Sequence, residues 1–169
     1  PTYGCFDRNF WHYRIIDFPS GMAQEFVLPL ALAAVLPLPG NPYHDRKTVK
    51  EWALAGTHFA RRFSHKDGSC DDYYPFEKAL GATAFSLYAM AQTCMLLEIR
   101  DPEVMDFLKR RADWLAHHNE SGRLSNHQAL VALGLDCTGR LLALSRWEKA
   151  KQSRLEQVLS WQDDEGWFW

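Results

Sequence analysis

The sequence predicts an all-α chain of three helical hairpins, part of an incomplete α/α toroid, with residues 1–169 as one domain. Two observations lead there. Stretches apolar on every side alternate three times with stretches apolar on one side only, and a helix apolar all round needs neighbours on all sides. Acidic or polar glycine turns, Asp67-Gly68, Ser121-Gly122 and Glu165-Gly166, recur at roughly 45–55 residues, a period typical of stacked helix pairs. In such a fold the buried helices form an inner ring and the amphipathic ones an outer ring. A helical solenoid of the same unit is the alternative.

Taken in order, residues 1–20 are aromatic-rich and irregular, closed by Pro19-Ser20-Gly21. Residues 23–36, AQEFVLPLALAAVL, form the first apolar helix, with a kink expected at Pro29. Pro37, Pro39, Gly40 and Pro42 break the chain. Residues 46–63 are amphipathic, with Val49, Trp52, Ala53, Gly56, Phe59, Ala60 and Phe63 at helical spacing. The polar loop HKDGSCDDYYPF precedes a second apolar helix over 78–99, which has no charge from Ala79 to Leu97. Its length is near a membrane span, yet Thr83, Ser86, Gln92 and Thr93 suit a helix buried in protein. Asp101-Pro102 starts an amphipathic helix over 103–117. A third polar loop leads into GRLSNHQALVALGL, the third apolar helix, and an amphipathic helix over 147–161 follows. In the third apolar helix Ser125 reads as the N-cap, with Gln128 completing an S-x-x-Q capping box. Leu130, Val131, Leu133, Leu135, Leu141, Leu142 and Leu144 read as its buried positions.

Composition limits the partners. The chain is 47% hydrophobic, which excludes disorder, and its net charge of −2 implies no general affinity for nucleic acid or anionic membrane. The clusters Arg61-Arg62 and Lys109-Arg110-Arg111 read as solvated helix faces. The four cysteines, Cys5, Cys70, Cys94 and Cys137, are widely spaced without a C-x-x-C, so buried thiols are expected rather than a disulfide frame. His65, Asp67 and Cys70 lack any recognised zinc-ligand spacing, and neither metal nor cofactor is expected. The opening Pro1 and the closing run Gly166-Trp167-Phe168-Trp169 read as the ends of a piece of a longer protein.

The loops that lead into the inner helices should open on one end of the fold. The first brings Asp17, Ser20 and Gln24, and the second Asp71, Asp72, Tyr73 and Tyr74. The third brings His117, His118, Asn119, Glu120, Asn126 and His127, and the last Asp163, Asp164, Glu165 and Trp167. Aromatic faces stack on sugar rings and polar groups bind hydroxyls, so this set suits a polysaccharide or oligosaccharide. Packing between repeats is the plainer role for any one aromatic. Asn126 and His127 fall in the first turn of a helix, where free N–H groups and the dipole favour an anion. The plainer role for both is to cap that helix.

With S-N-H-Q at the mouth of an apolar helix, the chain resembles the helical toroid domain of polysaccharide lyases of the heparinase II/III and alginate lyase type. In those families an Asn-His pair at an inner-helix mouth binds the uronate carboxylate and contributes to proton abstraction. The resemblance places Asn126 and His127 in that role. The first Asn of the commoner Asn-Asn-His form is Ser125 here. The families' catalytic tyrosine usually lies further along, and their following β-sandwich domain is absent from this sequence.

The residue types suit β-elimination. An amide donor at Asn126 would offset charge growing on the uronate carboxylate. A neutral His127, with a reference pKa near 6.5, could accept the neighbouring proton. Tyr73 or Tyr74 would protonate the leaving oxygen. Asp71, Asp72, His118, Glu120 and Trp167 are the expected substrate-binding residues. A glycoside hydrolase on the same scaffold is the alternative. It needs two carboxyl groups roughly 5 Å apart for retention or roughly 6.5–9.5 Å for inversion, drawn from Asp71, Asp72, Asp163, Asp164 and Glu165. Solvation and helix capping are the plainer roles for those acids. A non-catalytic helical-repeat scaffold is the third reading.

Overall fold

The computed structural model describes residues 2–168; Pro1 and Trp169, on which part of the reading of the termini rests, lie outside them. A short helix α1 spans Arg8–Trp11, and a 3-10 turn spans Met22–Phe26. Six longer helices follow: α2 Val27–Val35, α3 Lys47–Phe63, α4 Leu80–Leu96, α5 Pro102–His117, α6 Ser125–Leu142 and α7 Glu148–Leu159. Among the described residues there is no strand, only an isolated bridge between Gln162 and Phe168. The fold is all-α.

The helices pair as three consecutive hairpins in two layers. α2, α4 and α6 lie side by side, and α3, α5 and α7 pack behind them. The inner helices start at one end of the molecule. The Gly21 amide donates to the Asp71 carbonyl at 2.7 Å, joining the first two helix starts. The His127 ring lies against Gly81, joining the second and third.

Helix α4 is the axis of the fold. Its small residues Gly81, Ala82, Ala84, Ala89 and Ala91 are all buried and let neighbours approach closely. Gly134 of α6 answers them, since a Cβ there would lie 3.3 Å from Leu87 Cδ2. The hydroxyls of Thr83 and Ser86 bond back to the carbonyls of Ala79 and Ala82 at 2.7 and 2.5 Å, which satisfies them inside α4, whereas the buried Thr93 hydroxyl has no partner among the described residues. α4 is open only along one stripe, where Phe85, Tyr88 and Gln92 are half-buried. Among the described residues no helix is long and apolar enough to cross a membrane.

α5 begins as its sequence requires. Asp101 accepts from the amides of Glu103 and Val104, and Pro102 occupies the first helical position, where no N–H is needed. Pro29 lies in the first turn of α2. It is the third residue of that helix, where the missing N–H has no intrahelical acceptor to lose. The irregularity lies earlier, in the 3-10 turn. The thiols are free, with Cys70, Cys94 and Cys137 buried, and burial pushes the Cys94 thiol up to about 12.

Three expectations are corrected. Ser125 is the first residue of α6 rather than its cap; Leu124 holds the cap position and no side-chain hydrogen bond caps the helix. The Gln128 side chain turns into the core instead of reaching back. α6 is also not buried all round, because Leu133 is 41% exposed; Leu144, 38% exposed, lies beyond the end of the helix. Arg111 is not on a solvated face: it is 1% exposed. Its Nε donates to the Gly68 carbonyl at 2.7 Å, one Nη to Ser64 Oγ at 2.6 Å, and the other to Ser86 Oγ. The guanidinium also lies over the Phe107 ring, 4.8 Å from its centroid.

The two sides of α6 give a direct test. Leu135, 1% exposed, should lose about 2–5 kcal/mol on substitution Leu135→Ala. Leu133→Ala should stay within about 0.5 kcal/mol of the parent. Denaturant melts of the two variants decide it, and equal losses would mean that the buried side has been misidentified.

Candidate functional site

The second loop is a clamped platform. Asp71 Oδ2 accepts from the Phe76 amide at 2.8 Å, and Oδ1 from the Lys78 amide at 3.0 Å. His65 Nε2 lies 2.8 Å from the same Oδ1. Glu77 Oε1 takes the amides of Asp72, Tyr73 and Tyr74 at 2.6, 2.5 and 3.2 Å. These bonds hold Phe76 and Lys78 at φ +65° and +51°, a region that side-chain-bearing residues enter only at a cost. The platform presents Tyr73, Tyr74 and Phe76 outward, 80%, 70% and 83% exposed.

The acids beside them have structural partners. Asp72 accepts from Ser20 Oγ of the first loop. Partial burial raises Asp71, but the bonds from His65, Phe76 and Lys78 more than offset this and hold it below its ordinary value. Asp67 is raised by burial in the same way, then lowered to about 2 by hydrogen bonds from Lys78 and Ser69.

The third loop makes a histidine–carboxylate pair. His127 Nδ1 lies 3.1 and 3.0 Å from the two oxygens of Glu120. A carboxylate only accepts, so Nδ1 carries a hydrogen, and in the neutral ring Nε2 is the nitrogen with the lone pair. Among the described residues Nε2 has no hydrogen-bond partner. The ring is seated on α4, where a Cβ at Gly81 would meet its Cε1 at 2.5 Å and its Nε2 at 2.7 Å. The Phe85 ring meets it edge-on at 6.0 Å. The His127 side chain is 23% exposed and that of Glu120 20%.

A buried network holds the pair. Gln128, fully buried, donates to Asn119 Oδ1 at 2.9 Å and Glu120 Oε1 at 3.3 Å. Its own oxygen accepts from Arg154 Nη1 at 2.9 Å, and Arg154 Nη2 reaches the carbonyls of Leu115 and His118. Burial lowers Arg154 and the Glu120 charge raises it, with a net lowering.

The fold therefore brings together Asn126, His127 and Glu120, and it joins the platform of Asp71, Asp72, Tyr73 and Tyr74 to the same end. Asn126 is exposed, and neither it nor His127 caps α6. The His118 ring stacks on Trp114 at 4.4 Å, and its Nδ1 lies 2.8 Å from the Trp114 carbonyl. Trp167 is 71% exposed on a tight turn whose bonds are local, Asp163 Oδ1 accepting from the amides of Glu165 and Trp167.

Sequence reasoning missed Gly81, Phe85, Gln128 and Arg154. A glycine in the first turn of an apolar helix was a signal for close approach, since glycine weakens helices. Nothing in the sequence pointed to Arg154. Among the described residues no group of three or more His, Cys, Asp or Glu is placed to hold a metal ion. His65, Asp67 and Cys70 face Asp71, Lys78 and Thr83 respectively. No family model matches this chain, and no match was found among curated proteins or solved structures.

Two outcomes follow from this geometry. A carboxylate with a depressed folded pKa stabilises the fold above its ordinary value and loses that contribution as the pH falls through the folded value. For Asp67 the window runs from 3.8 down to about 2, so acid melts should show stability falling there, with Asp67→Asn flattening the fall. Gly81→Ala should leave the helix intact, because alanine is the better helix former, yet displace the His127 ring. Proton NMR of the His127 ring reads this directly; an unchanged signal would mean the ring is not seated on α4.

Proposed function

We propose that this chain is the helical domain of a carbohydrate-active enzyme, a polysaccharide lyase that cleaves a uronate-containing glycan by β-elimination. The observation that supports it is the His127–Glu120 pair, with Nδ1 hydrogen-bonded and Nε2 free at the mouth of α6. A carboxylate that fixes one ring nitrogen sets the tautomer and raises the basicity of the other. That is what removal of a weakly acidic proton requires.

In this reading His127 Nε2 takes the proton from the carbon next to the uronate carboxylate. The C–H electron pair becomes the new C=C bond, and the C–O bond to the next sugar breaks with its pair going to oxygen. Tyr73 or Tyr74 protonates that oxygen. Asn126, beside the free amides of the helix start, binds the carboxylate as charge grows on it. The likeness of S-N-H-Q to the heparinase II/III and alginate lyase pattern agrees with these roles.

The hydrolase reading needs two carboxyl groups free to exchange protons across a sugar. Asp71 and Asp163 are engaged by backbone amides and Asp72 by Ser20, which weighs against those three and leaves Asp164 and Glu165 as its acids.

The assay is the absorbance of the new C=C bond on incubation with uronate polymers. His127→Ala should lower the rate by about 10²–10⁴ and Asn126→Ala by about 10²–10³. Glu120→Gln should shift the pH profile as well as the rate, because it alters the tautomer of His127. Ser125→Ala, which removes no hydrogen bond, should leave the rate unchanged. Reducing ends without that absorbance, lost in Asp164→Asn or Glu165→Gln, would establish the hydrolase. Absence of any glycan binding would leave a scaffold.

A further inference from the structure

The outer helix α3 carries a seam that the core leaves open. Glu51, Leu54, Ala55, His58 and Arg62 line a groove of about 680 Å³, and Tyr3 of the lead-in segment forms its other wall. Positions 51, 55, 58 and 62 follow one another in steps of four, three and four. That spacing keeps one line along a helix facing a partner helix. Glu51 and Arg62 are exposed at its ends, about three turns and roughly 16 Å apart. Leu54, Ala55 and His58 are half-buried between them.

The two end charges are opposite, and both are available. Glu51 meets Lys47 at 3.5 Å across one exposed helix turn, a contact worth little in water. Arg62 donates to the Tyr3 carbonyl at 3.3 Å and pairs with no carboxylate among the described residues. His58 lies 3.3 Å from Asp101 at the start of α5, so a charge on its ring is matched within the chain. A small anion in the groove would gain Arg62 and face Glu51, and a small cation the reverse. Both ends are satisfied by a partner helix with opposite charges three turns apart.

α3 is itself such a helix. Turned end for end about a two-fold axis at the middle of the seam, it sets Glu51 against Arg62 of a second copy, and Arg62 against that copy's Glu51. Ala55 then faces the second copy's His58, and its small side chain lets the backbones approach. Both ion pairs form together, as an isologous contact requires. A parallel pairing would oppose like charges at each end, which is costly. We propose that two copies of this chain associate through this face of α3, antiparallel, with two Glu51–Arg62 pairs. No residue of the seam belongs to the His127 site. A seam of this length is in the small class of interfaces, under roughly 1,200 Å², so the dimer is a weak one that forms at micromolar concentration or above.

Sedimentation velocity of the chain, from micromolar to near-millimolar concentration, tests this. The parent should pass from monomer to dimer, and added salt should weaken the association, because the pairs lie at the surface. Glu51→Arg alone and Arg62→Glu alone should each weaken it about tenfold or more, since both pairs become like-charge contacts. Mixed together, the two variants should pair with each other as the parent does, because each supplies the charge the other lacks. Both positions are exposed, so thermal melts of the variants should match the parent and separate loss of association from loss of fold. A parent that stays monomeric throughout would leave the groove to another occupant and overturn the proposal. A dimer that both single variants leave intact, or two variants that fail to pair when mixed, would overturn it as well.

Discussion

The hold on this fold is a buried cation without a buried anion. Arg111 is 1% exposed, and its partners are one carbonyl and two hydroxyls. Burying a guanidinium is expensive unless its hydrogens are satisfied, and burial lowers its pKa. Arginine bears this better than lysine, because its charge is delocalised and weakly hydrated and its flat face can rest on an aromatic ring. Those few bonds join the end of α3, the turn at Gly68, the middle of α4 and α5. The turn is pressed so close that a Cβ on Gly68, at φ +93°, would lie 2.5 Å from the Arg111 amide nitrogen. Core packing follows from this pin, since it sets how near α5 comes to α4.

The same device recurs at the other two hairpins. Arg154, 8% exposed, ties α7 to the third loop. Gln24, 2% exposed, donates to the carbonyls of Gly4 and Gly56 and accepts from the Phe6 amide. Each lead-in segment is thus fixed by one long buried polar side chain reaching out of a helix. The His127–Glu120 geometry inherits its precision from this arrangement, because Gln128 connects Glu120 to Arg154. A histidine placed this way has little rotamer freedom left to lose.

How much of this could be seen beforehand depended on the kind of force involved. Helix identity was legible because apolar periodicity reports burial directly: α3 and α5 begin and end within one residue of their expected limits. The place of Asn126 and His127 in the first turn of an apolar helix was legible as well. Contacts between segments distant in sequence were not legible. Arg111 looked like the third charge of a surface run, and only the packing of α5 against Gly68 turns it inward. Leu133 matched its apolar neighbours, yet it lies in an open groove between α6 and α7, beside Leu155. The capping box failed because Gln128 had a better use: three polar atoms in the core compete with one amide at the helix end. Glu120 was placed in the right loop, but its pairing with His127 depends on a turn conformation that no local pattern encodes.

The pins act on the main chain. Arg111 reads the carbonyl of Gly68, Arg154 those of Leu115 and His118, Arg110 that of Lys66, and Gln24 those of Gly4 and Gly56. A carbonyl is the same group whatever residue bears it. The side chains on those carbonyl-bearing residues, the glycines excepted, can therefore be exchanged without loosening these particular bonds. Leu115, His118 and Lys66 can change identity over evolutionary time while the arginines that hold their carbonyls stay in place.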